Sequence, residues 1–407
     1  MLNNRKNGKK IESVYVYLMI AGISLVISLF YFWINPNGFE NVIMTEFNFS
    51  DYFYHIIFSS MPAKTYELSY DACFPPLAYC FYHLLWRLRP IAVDGKEQWE
   101  QIKMEDNVML VFVLVQILLA LLLFYMVTRY LKEWSLEVQL MCTVLLICSY
   151  PYLGTSLQRG NSVAFVSMLI GFAWILRMSD SKFLRELALI FIAVAAGFKV
   201  YPAIIGLIYV KEKRWKEMFR LIIYGVIFFF GPFLIYGGIN GLKNFIGLLV
   251  AREQELPTIW GTVRGAANNV LMGVFGLGQE ASVPVAVGIE TLFLIVCLLL
   301  FFMAKQNWKM LFYLSMILIA YIPTNLMYTS VYLLPSFLCF IKEKKEMNRC
   351  SKLYYVYLIA YSLIFSLPAL FVMAGMSSYM TFVLIMYGLF GCCVTESIVE
   401  AVCDRKV

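Results

Sequence analysis

Charge and histidine are what this chain has least of. Only 14% of its 407 residues are charged, and histidine occurs twice, as His55 and His83. Two histidines make a histidine-based zinc site improbable. No P-loop, GxGxxG, HExxH or Ser-His-Asp order is present, which leaves nucleotide and metalloprotease chemistry unsupported. The ten cysteines have no CxxC spacing and mostly fall within apolar blocks, so they read as small packing residues rather than a disulfide framework. A sequence repeat, a low-complexity tract and the alternating ten-residue segments of an outer-membrane barrel are all missing.

What is present in excess is apolar surface. The chain is 61% hydrophobic and 17% aromatic, with a mean hydropathy of +0.74. These residues come in long blocks rather than amphipathic stripes, so lipid is the solvent they are built for. The fold class expected is all-α, a polytopic membrane protein with about 11–13 membrane segments and a large first outer loop carrying interfacial helices. The net charge of +7 is local. Basic residues cluster between blocks, at Arg5 to Lys10, Lys211 to Arg220, Lys305 to Lys309 and Lys342 to Arg349, as positive-inside anchors. No basic face is interleaved with stacking residues, so no nucleic-acid partner is expected. The first block is too long for a cleavable signal and lacks a small-residue cleavage site, and it is expected to stay as a signal anchor.

The division expected is a basic cytoplasmic tail over 1–13, one integral-membrane domain over 14–395 and a cytoplasmic tail over 396–407. Outer loops are expected near 35–74 and 237–284. Two readings compete between them. Residues 75–88 are short for a span, and the apolar run 187–210 is broken at Lys199-Val200-Tyr201-Pro202 with basic residues at both ends. Charge bias makes that run two half-helices entering and leaving on one side, with Lys199 and Pro202 at the tip. Simple alternation makes it one kinked crossing.

The stretch from Glu46 to Trp86 is polar, acid-bearing and aromatic, and holds Glu46, Asp51, Glu67 and Asp71 with both histidines. Ser50 reads as an N-cap opening a short interfacial helix, with Asp51 ionised in its first turn and His55 one turn later on the same face. A capping aspartate with no other task reads the same way. Phe74-Pro75-Pro76-Leu77 reads as a rigid joint. Arg159-Gly160-Asn161, opening an apolar helix, suits a phosphate, though an arginine snorkelling to headgroups has the same pattern. Lys199 is sharper. A charge deep among apolar residues costs roughly 2.5–3.5 kcal/mol on insertion scales, and beside a broken helix it points to anion binding. In the second outer loop Arg252, Glu253, Glu255, Arg264, Asn268 and Asn269 line a polar cavity or form a solvated face.

Four stretches in order carry a resemblance: Ser50-Asp-Tyr-Phe-Tyr-His55, Cys73-Phe-Pro-Pro-Leu77, Leu157-Gln-Arg-Gly-Asn161 and Gly197-Phe-Lys-Val-Tyr-Pro202. Together they resemble glycosyltransferase family 87, GT-C-type membrane enzymes related to polyprenyl-phosphate-mannose-dependent mannosyltransferases. The resemblance implies a GT-C-like fold and inverting transfer of a mannose, or another hexose or pentose, from a polyprenyl-phosphate donor. The acceptor would be a lipid or glycan at the outer face of a bacterial plasma membrane, with both termini cytoplasmic. Asp51 would be the general base, with His55 beside it. Arg159 and Lys199 would be donor-phosphate ligands, and Asn161, Tyr201 and Arg264 are expected with them as residues that bind the substrate or the donor phosphate. No cofactor is implied, and a divalent metal is left open. Family members often carry a histidine in the hairpin over 321–335. This chain has none there, with Tyr328 or Thr329 near that place and His55 as the alternative. A transporter or flippase of a lipid-linked or anionic solute is the competing function, since half-helices at mid-membrane bind ions.

Overall fold

The computed structural model describes residues 12–43, 48–69, 71–88, 90, 102–103, 105–253, 257–322, 327–346 and 352–404. Expectations for the basic tail, Glu46, Glu255, much of the linker before residue 105 and the hairpin tip at 323–325 lie outside them. Among the described residues every regular element is helical. Six helices among the described residues are long and apolar enough to cross a membrane, and shorter apolar helices accompany them. The long exposed runs of Leu, Ile, Val and Phe on their outer faces are the lipid contact of a polytopic membrane protein.

In chain order, α1 (Ser13–Ile34) leads to α2 (Gly38–Val42), α3 (Ser50–Ser59), α4 (Thr65–Leu68) and α5 (Pro76–Leu88). Then come α6 (Asp106–Tyr130), α7 (Leu136–Ile147) with a π-helical run Tyr150–Leu157, α8 (Val163–Leu176) and α9 (Lys182–Phe198). A 3₁₀ turn Tyr201–Gly206 runs into α10 (Leu207–Lys211), followed by α11 (Trp215–Phe230), α12 (Gly238–Glu253), α13 (Val263–Gly273) and α14 (Gln279–Met303). The chain closes with α15 (Asn307–Met316), α16 (Leu334–Glu346) after a 3₁₀ run Met327–Leu333, α17 (Lys352–Ile364), α18 (Ala369–Met373) and α19 (Ser378–Asp404).

Polar contacts sort the helix ends into two groups. At one end Arg177, closing α8, meets Glu212 after α10 at 3.3 Å and Asn307, opening α15, at 2.6 Å. The Lys211 ammonium donates to the Phe301 carbonyl, near the end of α14, at 2.6 Å. Lys309 meets Glu396 and Glu400 near the end of α19, at 2.9 and 3.1 Å. At the other end lie α2 to α5, the start of α6, the start of α8 and α12. Phe112 of α6 packs on Phe49 and Tyr52 at 4.9 and 4.8 Å between ring centres, and Arg252 of α12 pairs with Asp71 at 2.9 Å.

These contacts decide both open questions of topology. Arg177 precedes α9 and Glu212 follows α10, and the two touch, so the run broken at Lys199 leaves from the end it entered. The half-helix reading holds and the kinked crossing does not. The 17 residues of α9 rise about 25 Å and the descent over Tyr201–Lys211 roughly 20 Å, each short of the ~30 Å of hydrocarbon that a full crossing needs. Helix α5 does not cross either. Leu77 lies on Gly197, Phe81 packs on Phe165 and Phe198, and His83 Nδ1 sits 2.7 Å from the Ser59 carbonyl of α3. Two prolines set its entry, and 13 residues are too few to span.

Candidate active site

The site is built where the loop after the π-helical run meets the start of α3. Gly160 makes this possible. Its φ of +69° belongs to the left-handed region, and a Cβ there would stand 2.7 Å from Tyr52 Cβ. The two chains are stitched together across that approach. The Phe49 amide donates to the Gln158 carbonyl at 2.6 Å, and the Gln158 side-chain amide donates to Asn48 Oδ1. Phe49 itself sits at φ 60°, a conformation that costs a non-glycine residue on the order of 1 kcal/mol or more and is kept here by its surroundings. The helix begins at Ser50 with Phe49 as its cap residue, one position before the expected cap, and the Ser50 hydroxyl makes no capping bond.

Stitching these segments brings three of the expected residues to one point. Arg159 Nη2 donates to Asp51 Oδ1 at 2.8 Å, and Asn161 Nδ2 donates to Asp51 Oδ2 at 2.7 Å. Asn161 Oδ1 in turn accepts the Val163 amide at 3.1 Å, which fixes its rotamer at the head of α8. The Ser50 hydroxyl also reaches Asp51 Oδ1, at 3.5 Å, so the carboxylate is held in one orientation through both oxygens and Oδ2 has the lighter set of partners. Asp51 and Arg159 retain side-chain exposures of 12% and 18%, so the pair borders open space rather than lying sealed in the core.

Lys199 stands apart from this pair. It is only 6% exposed. Its ammonium makes no hydrogen bond or ion pair among the described residues; it lies 3.3 Å from the centre of the Phe74 ring. A buried cation with no carboxylate against it is rare, because desolvation is normally offset by pairing.

His55 is not hydrogen-bonded to Asp51. Its imidazole is 5% exposed in an aromatic cage, 3.7 Å from Phe74, 5.3 Å from Tyr82 and 5.7 Å from Tyr79 between ring centres. Burial first, then the charges of Lys199, Arg252 and Arg159, hold it well below the usual histidine range, so it is neutral. Its Nδ1 has no hydrogen-bond partner. Tyr201 packs edge-on against Tyr332, 6.0 Å away, beneath Lys199 in the chain.

Arg264 is placed differently. Its Nε and Nη2 both meet Glu290 of α14, at 2.7 and 2.6 Å, and Glu290 is 1% exposed. The structure closes Arg264 into that ion pair rather than bringing it to Asp51. Tyr328, which the sequence set near the place of the missing hairpin histidine, lies on the 3₁₀ run Met327–Leu333. Phe74 was read only as part of a joint. Among the described residues no group of three or more His, Cys, Asp or Glu side chains is arranged to hold a metal.

A carboxylate held through both oxygens and a buried lysine resting on an aromatic ring are thus both present in this polytopic membrane fold. No curated protein sequence matches the chain, and no solved structure does. The family model of glycosyltransferase family 87 matches residues 105–328, a segment that holds Arg159, Asn161, Lys199 and Tyr201 and begins after Asp51. With more than half of its length matched, the chain belongs to glycosyltransferase family 87.

Proposed function

We propose that this membrane glycosyltransferase takes a sugar from a polyprenyl-phosphate donor and transfers it, with inversion, to a hydroxyl of a glycolipid or glycan acceptor. The observations that support the proposal are Asp51 held by Arg159 and Asn161, and the buried Lys199 resting on Phe74 with no ion pair among the described residues. In the step, the acceptor hydroxyl gives its proton to Asp51 as its oxygen attacks the anomeric carbon. The bond from that carbon to the phosphate oxygen breaks, and the charge growing on the leaving phosphate is met by Lys199. Mannose or another hexose or pentose fits this chemistry, since nothing in the step depends on the sugar beyond C1.

Arg159 and Asn161 serve to orient Asp51. Tyr201 supports the Lys199 tip, His55 acts as cage rather than base, and Arg264 takes no part. The end of the bundle that carries Arg177, Arg214, Lys211 and Lys309 faces the cytoplasm by the positive-inside rule, which puts the Asp51 end and the acceptor outside.

The test is transfer from polyprenyl-phosphate mannose by purified Asp51→Asn protein. Turnover is expected to fall about 10³-fold, the range for loss of a general base, with the melting profile in detergent preserved. Full turnover in that variant, or polyprenyl-phosphate translocation in liposomes without any sugar transfer, would overturn the proposal.

A further inference from the structure

The Lys199 ammonium is held by something other than charge. Its nitrogen lies 3.3 Å from the centre of the Phe74 ring, and the His55 imidazole centre lies 3.7 Å from the same point. Groups approaching a phenyl ring in its plane are stopped by the ring's own edge at centre distances on the order of 5 Å. Both groups therefore lie over faces of the ring, and two groups so close to its centre cannot share one. Phe74 is sandwiched, with the imidazole on one side and the ammonium on the other.

The ring itself is fixed. The Tyr66 hydroxyl donates to the Phe74 carbonyl at 2.9 Å, and the Phe74 amide donates to the Tyr79 hydroxyl at 3.5 Å. Pro75 and Pro76 follow directly and remove two soft backbone torsions. The helix that delivers Lys199 is brought in close by Gly197, where a Cβ would meet Leu77 Cδ2 at 2.6 Å and the Phe228 carbonyl at 3.2 Å. Phe74 is 8% exposed, so water does not replace the aromatic face.

An aromatic face attracts a cation through its quadrupole without neutralising it. A carboxylate in the same place would hold the lysine as well, but would cancel the charge that an incoming phosphate needs. We infer that Phe74 is the positioning residue of the donor-phosphate site: its ring, backed by His55, holds the Lys199 ammonium in place and leaves its charge uncancelled for the phosphate. This rests on the reading of Lys199 as a phosphate ligand.

The experiment replaces Phe74 in the full-length protein with mono-, di- and trifluorinated phenylalanine, which keeps the ring's shape while draining its π density. Binding of undecaprenyl monophosphate, and of the uncharged polyprenol as a control, is measured in detergent together with Lys199→Met. The expected result is a graded loss of phosphate affinity with each fluorine, reaching about tenfold at three, while polyprenol binding stays flat. Loss of phosphate affinity in Lys199→Met with a flat fluorine series overturns the role of Phe74 and leaves Lys199 as the ligand. Unchanged affinity in Lys199→Met removes both.

Discussion

The two polar ends of the bundle treat buried cations in opposite ways. At the Arg177 end, Arg177 donates to Glu212, the Trp174 carbonyl and Asn307. Arg214 meets Glu212 and Glu217 at 3.2 and 3.1 Å, and Lys309, 1% exposed, meets Glu396 and Glu400. A cavity of about 660 Å³ opens there, but the arginine on its wall is already engaged. At the Asp51 end, Lys199 is nearly as buried and rests on a π face. Closed charge stitches helices together, whereas uncompensated charge is available to a ligand. The difference between the two lysines lies in their partners rather than in depth of burial.

Exchanging the two lysines for a residue of similar length breaks the comparison most sharply. Lys199→Met is expected to raise the donor KM about 100-fold with thermal stability unchanged or improved, because an unpaired buried charge is removed. Lys309→Met is expected to do the reverse. Transfer should continue, while stability falls by about 1 kcal/mol, a modest figure because Glu396 and Glu400 are partly exposed. Kinetics and melting in detergent on the same two preparations check both halves.

Next in size is Gly160→Ala, which strains a positive φ and presses on Tyr52 Cβ. A loss of about 2 kcal/mol of stability, read from detergent melts, is expected, together with reduced turnover as Arg159 and Asn161 shift from Asp51. Asn161→Ala removes the hold on Asp51 Oδ2, and kcat should fall about tenfold with the donor KM little changed. An increase confined to KM would instead make Asn161 a donor ligand.

The smallest effect concerns His55. Its folded-state pKa is depressed, so below the ordinary histidine value near 6.5 the unfolded chain binds a proton that the folded chain refuses. Stability from this group is full above that pH and declines as pH falls below it, by at most about 1.4 kcal/mol per pH unit. In His55→Phe, which suits the aromatic cage, the melting temperature should depend less steeply on pH between 7 and 5. Equal slopes in the two proteins would show that His55 is not held neutral.

Much of this was legible in the sequence, and the remainder has physical reasons for being hidden. Long apolar blocks announce helices in lipid, and Lys199-Val-Tyr-Pro202 announces a break, because a charge and a proline both disrupt an apolar helix. Asp51, Arg159 and Asn161 could be nominated separately, but their meeting spans 108 and 110 residues of chain and depends on the turn at Gly160. For the same reason Asn161 read as a phosphate ligand rather than a holder of Asp51, and Arg264 read as available when Glu290, 26 residues on, had already claimed it. Helix α5 carries the composition of a crossing and lacks only length. Phe74 was hidden by its neighbours, since two prolines explain a joint so fully that the aromatic beside them draws no notice.

The most direct measurement is a cryo-EM structure of the full-length protein with undecaprenyl monophosphate bound. The account predicts phosphate density within about 3 Å of Lys199 Nζ, with Asp51 still held by Asn161 and facing the same space. Phosphate seated in the cavity beside Arg177, with Lys199 remote from it, would contradict it.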